Sequence, residues 1–220
     1  MSIAAPVEAK PGTARRGPPL AWLPQAIVAG SLVPFAVIGV RMATGRLGAN
    51  PIATALNQLG LLTLVFLMAC LSCTPVVAVF RIKWPLRVRK TLGLLAFFTA
   101  LAHFLLYAVV DQGLAVGRIL ADVGKRPFIA LGAGALLLLV PLALTSTKRA
   151  VQDLGFARWK LLHRLIYVVG ILAVAHFYVR VKADTTEPVI YGGLLLVLFV
   201  VRIADAMKKP GSKGKRKGKV

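Results

Sequence analysis

Leu56–Phe80 reads LNQLGLLTLVFLMACLSCTPVVAVF and contains no Asp, Glu, Lys or Arg. A hydrocarbon core of about 30 Å needs roughly 20 apolar residues of helix to cross it, and this stretch is long enough. Five further stretches near that length also lack those four residue types: Leu20–Val40, Thr91–Val110, Phe128–Thr147, Leu165–Val179 and Pro188–Val201. The last two are short. Leu161 and Leu162 extend the fifth, and Arg202–Met207 extend the sixth, with the arginine snorkelling to the headgroups. Backbone amides in lipid must bond within their own segment, so the runs are read as helices. They are continuously apolar and do not alternate, which excludes a β-barrel.

Composition supports this layout. The 220 residues are 58% hydrophobic and only 16% charged, yet Lys+Arg minus Asp+Glu is 28 − 7 = +21. A soluble domain interleaves about 25% charged residues with its apolar ones, whereas here the two kinds are segregated. That excludes an ordinary soluble globule and argues against a nucleic-acid binder, so no nucleic-acid partner is expected. With six spans, the positive charge divides unevenly. The N-terminal segment, the second and fourth loops and the C-terminal tail carry 3, 5, 5 and 8 Lys/Arg, 21 in all, against 7 in the opposite loops. Both termini are therefore expected in the cytoplasm. The expected fold is an all-α integral membrane protein, a six-helix transmembrane bundle over residues 20–207 in the lipid bilayer. Residues 1–19 form a Pro/Ala/Gly-rich N-terminal segment and 208–220 a basic tail attracted to anionic lipid, both read as disordered. No internal repeat is visible, which leaves an inverted-repeat transporter without support.

The span interiors hold no carboxylate, lysine or arginine, whereas proton pumps and ion-coupled carriers need such groups along their path. All three histidines, His103, His163 and His176, fall at membrane depth. Imidazole is an axial ligand of haem iron, and a helical bundle can enclose a haem's apolar disc. At about 1.5 Å per residue, His103 lies roughly 18 Å and His176 roughly 22 Å from the cytoplasmic side. Nearly level, they are placed to grip one haem from opposite faces. His163 lies about 3 Å in, too far away to serve the same iron. Around an ideal helix His163 and His176 are some 140° apart and share no face.

Several neighbours have two readings. Arg180, four residues after His176, is either a propionate partner or a snorkelling anchor. Trp159 flanks His163 as a site residue or an interface residue, and Gly170 admits a macrocycle edge or packs a neighbouring helix. Cys70 and Cys73 form C-x-x-C, which on an apolar helix reads as small-residue packing more than redox chemistry. There is no phosphate-binding glycine loop, nucleophile triad or zinc pattern. The chain alone therefore has no means of taking hydride electrons from NAD(P)H.

Certain segments resemble a known family. These are Arg89–Asp111 (RKTLGLLAFFTALAHFLLYAVVD), Lys125–Ile129 (KRPFI) with Gly132, Leu142–Ser146 (LALTS), Trp159–Tyr167 (WKLLHRLIY) and His176, joined by Asn50-Pro51, Leu59-Gly60 and Thr74-Pro75. Over about residues 45–205 the chain resembles the MsrQ (YedZ) family, haem-binding membrane subunits of a bacterial methionine sulfoxide reductase system within the ferric-reductase-like transmembrane group. The resemblance implies six helices in the inner membrane, heme b and a flavin, FMN. It implies electron delivery from quinol or a cytosolic flavin reductase to the periplasmic molybdopterin-containing MsrP, which repairs oxidised periplasmic proteins. The family's histidines fall on His103, His163 and His176. Related two-haem oxidases carry a second histidine where this chain has Arg89, on the same face as His103. The inner cofactor is therefore a haem on His163, with Arg89 opposite, or a flavin.

The expectation is a non-catalytic electron-transfer subunit. Electrons enter near His163 and leave on the outer side, where the loops Arg41–Ala55, Asp111–Pro127 and Arg180–Glu187 dock a soluble reductase. A transmembrane ferric or oxygen reductase and a non-redox scaffold with structural histidines are the rival readings.

Overall fold

The computed structural model describes residues 20–208. The terminal segments assigned to 1–19 and 208–220 lie outside the described residues, apart from Lys208. Six helices are long and apolar enough to cross a membrane, and no strand occurs among the described residues. They are α1 (Leu23–Ala43), α2 (Pro51–Phe80), α3 (Pro85–Leu105), α5 (Pro127–Leu144), the paired α7 and α8 (Phe156–Leu162 and Leu165–Arg180) and α9 (Thr186–Met207). Two short helices complete the set, α4 (Val116–Lys125) and α6 (Lys148–Leu154).

The helices start where proline sets the backbone. Pro51, Pro85 and Pro127 each open a helix, where the missing N–H has no partner to lose. At α2 the Asn50 side chain also accepts from the Ala53 amide at 3.0 Å, closing the first turn. These starts carry α2 and α3 about five residues beyond the purely apolar runs. The α3 helix then widens into a π-turn over Leu106–Asp111, just past His103.

The core joins Leu64, Leu67, Met68 and Leu71 of α2 to Ala96, Ala135, Leu139, Val169, Leu195 and Leu198. Ala96 and Val169 are fully buried, because small side chains let helices approach closely where lipid supplies no hydrophobic drive. Gly170 serves the same end. A Cβ there would come within 3.2 Å of Leu71 and 3.3 Å of Leu195, so this glycine packs helices and borders neither cavity described below. Cys70 and Cys73 are buried free thiols clustered with Val88 and Leu92, in keeping with packing. α1 is peripheral, with Ser31 its one buried residue. α2 packs most extensively against α3, and α5 against α8.

Two expectations change. The 111–127 connection, read as a loop, is largely helix: α4 carries Ile119 and Val123 on the side facing the bundle and leaves Val116 and Leu120 exposed. The fifth span is also interrupted. α7 ends at Leu162, His163 caps it with φ −69° and ψ −5°, and α8 begins at Leu165. The 140° separation of His163 and His176 assumed one ideal helix and does not apply. Gly155, at φ +74°, makes the turn between α6 and α7.

Candidate functional site

His103 on α3 and His176 on α8 face each other across a cavity of about 340 Å³. Their ring centroids are 6.3 Å apart and their planes lie at 86°. Each ring is fixed from behind. His103 Nδ1 lies 2.9 Å from the Leu56 carbonyl and His176 Nδ1 lies 2.6 Å from the Phe128 carbonyl. A carbonyl only accepts, so both rings donate from Nδ1–H and keep the Nε2 lone pair for a ligand. The wall is apolar, with Leu64, Ala100, Phe104, Leu136, Val169 and Ala173. Its mouth is polar. Arg180 donates to Asn57, Tyr107 donates to Asp122 at 2.9 Å, and Arg126 pairs with Asp122 at 3.4 Å.

These residues fit a haem. Half the ring separation is about 3 Å, roughly a metal–imidazole bond of about 2 Å plus the ring's own radius. The volume lies in the range of about 300–1,000 Å³ usual for ligand sites. Arg126 and Arg180 both border the mouth, where a carboxylate edge would meet solvent.

A second cavity, about 510 Å³, lies at the other end of the bundle. His163, Trp159, Phe156, Arg89 and Arg202 border it, with Lys90, Lys148 and Lys160, and no carboxylate is among its lining residues. The Trp159 and His163 rings are 4.2 Å apart, and Trp159 Nε1 donates to the Thr145 carbonyl at 2.9 Å. Arg89 and Arg202 both donate to Thr74 Oγ1, at 3.4 and 3.3 Å, and Arg202 lies 4.8 Å over the Tyr167 ring. The Thr145 hydroxyl donates to the Pro141 carbonyl at 2.6 Å and lies 3.0 Å from His163 Nε2. Its one proton is committed, so it accepts from His163 Nε2–H. His163 is thus held in the opposite sense from the outer pair. The aromatic wall and the surplus of cations suit a planar ring bearing an anionic group.

Of the residues singled out in the sequence, His103, His176 and Arg180 come together at the first cavity, and His163, Arg89 and Trp159 at the second. Sequence reasoning missed Arg202, taken as a snorkelling end residue, and Thr145. It also missed a role for Arg126, although KRP was noted. The carbonyls of Leu56 and Phe128 carry no side-chain signal.

The ferric reductase like transmembrane component family matches residues 54–174. A Deinococcus radiodurans protein named "Protein-methionine-sulfoxide reductase heme-binding subunit MsrQ" is 45% identical over 190 residues, 86% of this chain and 94% of its own. Proteins of the same name from Rhodospirillum rubrum and Ralstonia nicotianae are 44% and 41% identical. The first alignment covers 84% of this chain and 88% of the relative, the second 79% and 81%. No solved structure matches. With relatives of that name 41–45% identical over 79–86% of its length and the family model matching residues 54–174, the chain belongs to the MsrQ family of the ferric-reductase-like transmembrane group.

Proposed function

We propose that this chain is the membrane electron-transfer subunit of a methionine sulfoxide reductase system. It carries electrons across the bacterial inner membrane to a periplasmic molybdopterin-containing partner, MsrP, which repairs oxidised periplasmic proteins. The observation that carries this reading is the pair of imidazoles across one apolar cavity, 6.3 Å apart and each tied at Nδ1 to a carbonyl. His103 and His176 would hold a heme b between them, and Arg180 and Arg126 would meet its carboxylates. A haem bound there supplies one-electron exchange. The chain orients both imidazoles, excludes water through the apolar wall, and offers cations only at the mouth.

The excess of Lys and Arg at the His163 end supports placing that end, and both termini, in the cytoplasm. On this reading the transmembrane unit is 20–207, flanked by cytoplasmic segments 1–19 and 208–220. Quinol or a cytosolic flavin reductase is the donor at the His163 end. FMN is the cofactor favoured for the inner cavity, where Trp159 offers a ring face and Arg89 and Arg202 offer charge for a phosphate. A haem held through His163 Nε2, with Arg89 opposite, would require that nitrogen to give up its bond to Thr145. α4 and the loops beside it form the face that meets the soluble partner.

A visible spectrum of the purified protein tests the reading. The expected result is a Soret band and a sharp reduced α-band that His103→Ala and His176→Ala each abolish. A protein without that band, or one in which a single histidine suffices, would sink the proposal.

A further inference from the structure

The two ligand histidines are mounted in the same way, although no repeat is visible in the sequence. The carbonyl that holds His103 belongs to Leu56, and Gly60, four residues on, lies beside the ring. A Cβ on Gly60 would meet His103 Cε1 at 3.4 Å. The carbonyl that holds His176 belongs to Phe128, and Gly132, again four residues on, lies beside that ring. A Cβ on Gly132 would meet His176 Nδ1 at 2.9 Å and Cε1 at 3.0 Å. The carbonyl and its imidazole are 47 residues apart in one case and 48 in the other. The helix pairs involved, α2 with α3 and α5 with α8, are the two most extensively packed.

One cause explains the shared spacing. Residues four apart on a helix lie on one face, a turn apart. An imidazole that donates to the carbonyl of residue i therefore lies against residue i+4. A side chain there faces the ring: at Gly132 even a Cβ would intrude on it, and at Gly60 a Cβ would touch it with no room beyond.

We propose that Leu56/Gly60 and Phe128/Gly132 are two copies of one positioning device, in which the carbonyl fixes where the ring donates and the glycine fixes how its plane lies, so that together they set the 86° angle. The proposal rests on the reading of His103 and His176 as haem ligands. Gly132 is the tighter copy. A methyl group there displaces the His176 ring from Phe128, since that contact is below the distance real Cβ atoms tolerate. Gly60 is at ordinary contact distance, and a larger side chain is needed to move His103.

The angle between axial imidazole planes governs the anisotropy of the ferric low-spin EPR signal, and near-perpendicular planes give the largest leading g value. Hydrogen bonding behind an axial ligand is among the levers a protein has over haem electronics. The experiment compares purified wild type, Gly132→Ala and Gly134→Ala by EPR and by haem loss to an apoglobin acceptor. Gly134 lies on the same helix, and a Cβ there meets only Leu172, at 3.8 Å.

The wild type is expected to show a strongly anisotropic low-spin signal. Gly132→Ala should lower the leading g value and speed haem loss about 10-fold, the scale of losing a group that orients a ligand. Gly134→Ala should superimpose on wild type. If Gly132→Ala keeps the wild-type signal and haem retention, the proposal is wrong. If Gly132→Ala does not fold, Gly60→Val is read in the same way, and an unshifted signal there overturns it. A wild-type protein with no low-spin signal sensitive to both His103→Ala and His176→Ala refutes the ligand reading itself, and this inference falls with it.

Discussion

The two ends of the bundle hold imidazole in opposite senses. At one end, His103 and His176 donate from Nδ1 to carbonyls and keep Nε2 open, across a cavity with apolar walls. At the other, His163 donates from Nε2 to a threonine hydroxyl and lies against Trp159, in a cavity lined by five Lys and Arg side chains. The difference teaches that histidine at membrane depth is not one signal. Which ring nitrogen is engaged, by backbone or by side chain, and what charge surrounds it distinguish the two ends.

The comparison breaks most visibly at the histidines. His176→Ala is expected to abolish the haem spectrum. His163→Ala should leave that spectrum in place while reduction by a cytoplasmic-side donor slows, as stopped-flow reduction would show. Equal loss of haem in both variants would erase the distinction between the two ends.

Charge at the inner cavity comes next. Arg89→Ala and Arg202→Ala should each weaken FMN binding about 10-fold, equal to ~1.4 kcal/mol, in a fluorescence titration. Arg180→Ala, at the far end, should leave that titration unchanged. Thr145→Val tests the tautomer argument with a smaller effect. Losing one hydrogen bond of about 0.5–1.5 kcal/mol should alter Trp159 fluorescence and lower Tm slightly, with the haem spectrum unmoved. A comparably small effect belongs to neither site. Gly170→Ala crowds Leu71 and Leu195 and is expected to cost ~1 kcal/mol of stability, read as a Tm decrease with both sites intact.

Much of the fold was legible in the sequence because lipid imposes a simple rule: runs without charge are spans. The six runs lie within the six spans apart from a few end residues, and Pro51, Pro85 and Pro127 marked true starts that a count of apolar residues overlooked. α4 was missed although Val116, Ile119, Leu120 and Val123 have helical spacing, because ten residues between two charged ends resemble a loop. The break at His163 had no signal, since Leu161 to Ile166 reads as helix throughout. At the sites, depth arithmetic paired His103 with His176 and set His163 apart, because rise per residue is nearly constant. The direction of each imidazole's hydrogen bond was not legible. For His103 and His176 it depends on backbone carbonyls, which every residue possesses alike, and for His163 on a threonine whose own proton is taken by the Pro141 carbonyl. Arg202 looked like a helix-end anchor, and only the tertiary fold turns it onto Thr74 and Tyr167.

The bonds that the two rings donate to the Leu56 and Phe128 carbonyls have an energetic consequence. Immobilising a flexible side chain during association costs roughly 0.5–1.5 kcal/mol. Here both rings are already held by the packing of α2 on α3 and of α5 on α8, so that entropy is lost on folding and not on capture of a ligand. The empty and filled forms of the outer cavity should then differ little in ring position. The affinity of the site for its cofactor is to that extent stored in the stability of the bundle.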